Sequence, residues 1–95
     1  AQGKVVVLLF WNNRSSDDQA VHSELSQVGS YRGRALVASA PIRDVSQYGA
    51  ITTGIQVLQS PTVVVVDRLR RATLLTGYTD HTEIGQAVAS ALAAR

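Results

Sequence analysis

Ser15-Ser16-Asp17-Asp18 sets two hydroxyls beside two carboxylates, and His22 follows four residues after Asp18. Hydroxyl, carboxylate and imidazole are the groups of nucleophilic and general acid–base catalysis, so chemistry is looked for here first. The spacing also fits a structural role. Ser15 with Asp18 matches S-x-x-[DE] and Ser16 with Gln19 matches S-x-x-Q. In that pattern a side-chain oxygen takes up the free N–H groups at the start of a helix. Carboxylates in the first turn favour the helix dipole by about 0.3–1 kcal/mol each. Capping is therefore the expectation for either serine, and neither is assigned a catalytic role.

The other candidate residues lead to similar outcomes. Asp17, Asp18 and His22 lie within one helical turn of each other, but neither His22 nor His81 has a second histidine or carboxylate at a recognised metal spacing. Both histidines are expected at the surface. Gly29 and Gly33 read as turn residues rather than a phosphate loop, and Tyr48 and Tyr78 as packing residues. Arg68, Arg70 and Arg71 form the densest basic cluster, without interleaved aromatic residues to stack bases, so a solvated turn is expected and not a nucleic-acid surface. The chain contains no cysteine, which excludes disulfides, thiolate metal sites and thiol redox catalysis together. No cofactor is implied.

A chain of 95 residues builds one core, and folding at this size buries roughly 60–65% of the unfolded surface, so residues 1–95 are read as one domain. With 45% hydrophobic and 17% charged residues it is too apolar to be disordered. The longest apolar runs, Val5 to Trp11 and Val63 to Val66, fall far short of the roughly 20 residues of a membrane-spanning helix, so no membrane insertion is expected. The net charge of +2, from eight arginines and one lysine against seven acids, is too small to imply nucleic acid. The absence of methionine suggests a segment excised from a longer protein, and no signal-peptide pattern follows Lys4. The residues fix no compartment.

These side chains must be positioned by the following elements. Val5 to Trp11 is a β-branched and aromatic run that reads as a strand buried on both faces. Ala20 or Val21, Leu25 and Val28 recur at helical spacing before Gly29, predicting a helix over about 16–29. Arg34 to Ala40 predicts a second strand that Pro41 keeps from a central position. Asp44 can cap a weaker helix over about 45–53, ended by Gly54. An extended loop over 55–61 leads to a buried strand, Thr62 to Asp67, then a polar turn and an antiparallel partner, Ala72 to Gly77. A last helix starts at Thr79 or Asp80, with Glu83 placed for a capping box and Ile84, Ala87, Val88, Ala91 and Leu92 on one face. The order βαβαββα implies a mixed four-stranded sheet in a three-layer α/β/α sandwich.

Three places in that order resemble the thioredoxin superfamily: the strand ending in Phe10-Trp11 just before a helix, Ser60-Pro61-Thr62 before a valine-rich strand, and Thr76-Gly77-Tyr78 leading into the last helix. The resemblance covers nearly the whole chain; an N-terminal strand and helix of full-length thioredoxins would lie before Ala1. It implies a cis peptide bond before Pro61, which sequence physics alone does not. It also places the family's Cys-X-X-Cys on Ser15-Ser16-Asp17-Asp18, its buried carboxylate on Leu9, and Arg14 where a second tryptophan is usual. A helix N-terminus lowers a thiol pKa, but by that effect alone a serine hydroxyl does not ionise near neutral pH. A thioredoxin-like domain without redox chemistry is therefore expected.

From the same resemblance comes a groove formed by Trp11, Asn12, Ser15, Ser16, Ser60, Pro61 and Thr62. In the family, extended polypeptide pairs with the backbone of the residue before the cis-proline, here Ser60, which needs no sulfur. The leading expectation is thus a redox-inactive, non-enzymatic binding domain whose partner is an extended polypeptide or a neighbouring domain. Two alternatives stay open. One is glutathione binding or transferase-like activity through Ser15 or Ser16, although the all-helical second domain of those enzymes is absent. The other is a purely structural domain of a larger protein.

Overall fold

Val5–Trp11, seven residues without a charge, forms β1 at an interior position of a four-stranded sheet in a computed structural model that describes residues 4–28, 33–44 and 60–93. The strand order is β2-β1-β3-β4, where β2 is Ala35–Pro41, β3 is Thr62–Val66 and β4 is Ala72–Thr76. β1 runs parallel to β2 and antiparallel to β3, and β3 pairs antiparallel with β4. Both faces of β1 are covered, which is why its sequence shows no polar alternation. Val5, Val7 and Leu9 enter one cluster, and Leu8 and Phe10 enter another on the opposite face.

Two helices lie against the first face. α1 (Ser16–Leu25) contributes Val21 and Leu25, and α2 (His81–Ala93) contributes Ile84, Val88 and Ala91 to the cluster of Val5, Val7, Leu9, Val63 and Val65. Phe10, Leu9 and Ile84 are completely buried, and burial of side chains of this size stabilises the fold by about 1.5–3 kcal/mol each. The opposite face holds Leu8, Phe10, Ala40 and Val64, flanked by Ile42, Val66, Ala72 and Leu74. The expected helix over 45–53, which would form the third layer, lies outside the described residues, as do Tyr48 and Gly29.

α1 is shorter than the periodicity predicts. After Leu25 the amides of Gln27 and Val28 bond to carbonyls three residues back, on Glu24 and Leu25, while the Ser26 hydroxyl donates to the Ser23 carbonyl. The last turn tightens in this way, yet Val28 still packs against the core. At the other helix the expected cap forms: Asp80 Oδ1 accepts the Glu83 amide at 2.9 Å, and the Thr79 hydroxyl meets Glu83 Oε1 at 3.3 Å.

The β3–β4 turn is organised by Asp67, whose Oδ1 accepts the amides of Leu69 and Arg71 and whose Oδ2 pairs with Arg71 Nε at 3.0 Å. Those bonds hold Arg70 in the left-handed region at φ 64°. Arg68 donates to the Leu92 carbonyl at 3.0 Å, tying the turn to the last turn of α2. The basic cluster is therefore partly built into the fold.

Candidate functional site

β1 delivers Trp11 and Asn12 to the end of the sheet where α1 begins. Phe10 is opposite Thr62 in the antiparallel β1–β3 register, so Ser60 and Pro61 lead into β3 at the end of the sheet where β1 closes with Trp11. The Ser60–Pro61 peptide bond is cis, and the Pro61 carbonyl accepts the Gly77 amide at 2.9 Å. Gly77 has φ 83°, a backbone conformation that glycine adopts at least cost. Tyr78, next in the chain, is 61% exposed, so it is a surface ring beside this loop rather than the packing residue expected from sequence. Glycine before it turns the chain out of β4, which explains the difference.

The start of α1 is held together differently from the expected cap. Ser15 is the N-cap residue, with extended φ and ψ, but its side chain makes no capping hydrogen bond, and Ser16 is exposed. Asp18 does the work instead: its carboxylate, only 2% exposed, accepts the Asn12 amide at 2.7 Å. Asn12 Oδ1 in turn accepts the Arg14 amide, the Ser15 amide bonds to the Asn12 carbonyl, and Gln19 Nε2 reaches the Asn13 carbonyl. The third helical residue thus grips the chain six residues back, beyond the reach of a standard capping box, because Asn12–Ser15 turns back on itself.

Trp11 is half-buried and packs against the α1–α2 core cluster. Its ring stacks on His22, centroids 4.0 Å apart and planes 12° from parallel. His22, expected on the surface, is a half-buried partner of the indole; the aromatic pairing between a strand end and a helix face carries no signature in sequence spacing. Leu9, where the resemblance implied a carboxylate, is fully buried among aliphatic side chains.

A shallow cleft of about 660 Å³ opens on the β2 side of Trp11, lined by Trp11, Asn12, Asn13, Arg14, Pro41, Ile42 and Arg43. Of the seven groove residues read from the sequence, Trp11 and Asn12 line it. Ser15 and Ser16 lie at the helix start, and Ser60, Pro61 and Thr62 lie across β1 on the β3 side, Pro61 buried and Thr62 1% exposed. Sequence reasoning missed Arg14 and Arg43 as cleft residues; only the parallel pairing that brings Pro41 beside Trp11 joins them. Among the described residues no group of three or more histidines and carboxylates could hold a metal ion, and no helix is long and apolar enough to cross a membrane.

No protein-family model matches the chain, and no curated protein matches it. Solved structures do. Chloroplastic thioredoxin z is 18% identical with a TM-score of 0.74, the match covering 98% of this chain and 82% of that one. The germline-specific thioredoxin Deadhead of Drosophila melanogaster is 20% identical with a TM-score of 0.69, covering 93% and 81%. A thiol:disulfide interchange protein of the thioredoxin family from Chlorobium tepidum is 15% identical with a TM-score of 0.67, covering 95% and 81%. Identities this low speak for the fold alone. The chain has the thioredoxin-like fold and carries no cysteine with which to perform thiol–disulfide exchange.

Proposed function

We propose that this chain is a redox-inactive binding domain that takes extended polypeptide at the end of the sheet, through Trp11, Asn12, Ser15, Ser16, Ser60, Pro61 and Thr62. The observation that supports the reading is a cis Ser60–Pro61 peptide leading into β3, the strand that pairs with β1 next to the end from which the chain passes into α1, in a chain that has no thiol. The backbone of Ser60 is the hydrogen-bonding partner for the bound chain, as an edge strand would be. Tyr78 and Trp11 supply aromatic surface beside it. Amide chemical-shift mapping with unstructured peptides tests this: shifts centred on Ser60 and Asn12 are expected, and an unchanged spectrum would overturn it.

One observation favours a second reading, a structural domain seated against a neighbour. Among the described residues β2 has no strand partner on its outer side, and Leu36 and Val37 on it are 45% and 36% exposed. Apolar side chains on a strand edge are surfaces that natural proteins normally cover or charge. If this edge is an interface, Leu36→Lys lowers association with the parent protein's other segments and leaves peptide binding at Ser60 unchanged.

A further inference from the structure

Among the described residues, the side chains that line the cleft beside Trp11 include two guanidinium groups and no carboxylate. Arg14 and Arg43 are both exposed there, and neither guanidinium has a carboxylate partner among the described residues. All seven acidic side chains lie within the described residues. Asp18 is bound to the Asn12 amide, Glu24 to His81, Asp67 to Arg71, Asp80 to the Glu83 amide, and Glu83 to Thr79. Asp17 and Asp44 remain, near Arg14 and Arg43 in the chain, but neither lines the cleft.

The amides add to the imbalance. Asn12 Oδ1 is taken by the Arg14 amide, so the Asn12 side chain offers chiefly its NH₂ donors. A guanidinium has five donors and no acceptor, and its planar fork matches a carboxylate. A ligand that balances this lining brings negative acceptor oxygens.

We infer that the cleft between Arg14 and Arg43 receives a carboxylate side chain of an acidic polypeptide segment. Polypeptide is favoured over a small anion by the setting: the cleft is open, and its wall at Pro41 continues into β2, whose outer edge has no strand partner among the described residues. An extended chain finds backbone groups there that an isolated anion would not use. The inference rests on the proposed binding of polypeptide at the Trp11 end, and adds to it a second contact on the far side of the indole.

The test is a set of amide-shift titrations of the 95-residue chain with a short peptide containing paired glutamates, the same peptide with glutamines, and inorganic phosphate at equal ionic strength. Both peptides are expected to shift Ser60 and Thr62, and only the glutamate peptide to shift Asn13, Arg14 and Arg43, binding roughly 3- to 10-fold tighter. That advantage should vanish in the Arg14→Gln, Arg43→Gln double variant. Should the double variant fail to fold, the comparison of the two peptides on the unaltered chain decides. Equal affinity for the two peptides overturns the inference and leaves the binding reading standing. No response to either peptide removes both. Phosphate shifting Arg14 and Arg43 more strongly than the glutamate peptide would make the cleft a phosphate site and overturn the polypeptide assignment.

Discussion

The Asp18 carboxylate accepts the Asn12 backbone N–H at 2.7 Å, closing a loop of six residues around the start of α1. A buried carboxylate with a defined backbone partner is an anchor, and it fixes the orientation of Trp11 and Asn12 relative to the helix.

Asp18→Ala leaves the Asn12 amide without its partner and is expected to lower stability by about 1–3 kcal/mol. Asp18→Asn keeps an acceptor and should cost less. Ser15→Ala should cost less than the about 0.5–2 kcal/mol of a true capping serine, because no side-chain cap bond is present to lose. Urea unfolding midpoints rank the three variants. A larger loss for Ser15→Ala than for Asp18→Ala would contradict this account of the loop.

Trp11 is the only tryptophan, so its fluorescence reports directly on its stack with His22. His22→Ala exposes the ring face and should shift emission to longer wavelength while costing about 0.5–1.5 kcal/mol beyond the lost area. His22→Phe should restore most of both. Emission unchanged in the alanine variant would mean that the two rings do not pack in solution.

Glu24 joins α1 to the start of α2 through His81: its Oε1 accepts the His81 amide and is 2.8 Å from the ring Nδ1. The backbone hydrogen bond first, and the ring contact second, hold the Glu24 carboxyl below its ordinary 4.5. Asp67 is held below its ordinary 3.8 chiefly by the Arg71 amide. Both folded-state values are depressed, so the stabilisation is fully present above the ordinary values and is lost as pH falls through the folded ones. Urea midpoints should therefore drop in the acid range, with Glu24→Gln and Asp67→Asn each flattening part of the fall. A pH dependence unchanged in the double variant would place the acid sensitivity elsewhere.

Much of the scaffold was legible from residue pattern. The uncharged run Val5 to Trp11 marked an interior strand, Pro41 argued against a central position for the strand before it, which is outermost among the described strands, and Asp80 with Glu83 marked the start of the last helix; all three follow from local rules of periodicity, backbone donors and capping. The site was less legible because its contacts are made across elements. Nothing in the spacing of Ser15 and Asp18 says that the carboxylate reaches past the serine to Asn12. Nor does any local signal join Trp11 to His22, or bring Arg14 within one cleft of Arg43, since each pair depends on how strands and helix dock. Tyr78 read as a packing residue because aromatic rings usually bury, and the turn at Gly77 sends it outward instead.

The most direct test of the binding reading is amide chemical-shift mapping of the labelled 95-residue chain, titrated separately with unstructured peptides and with glutathione. The account predicts saturable shifts from peptide at Trp11, Asn12, Ser15, Ser16, Ser60 and Thr62, with glutathione producing none of comparable size. Peptide titrations that leave those amides unmoved would contradict it, and shifts produced by glutathione alone would turn the site toward the transferase-like alternative.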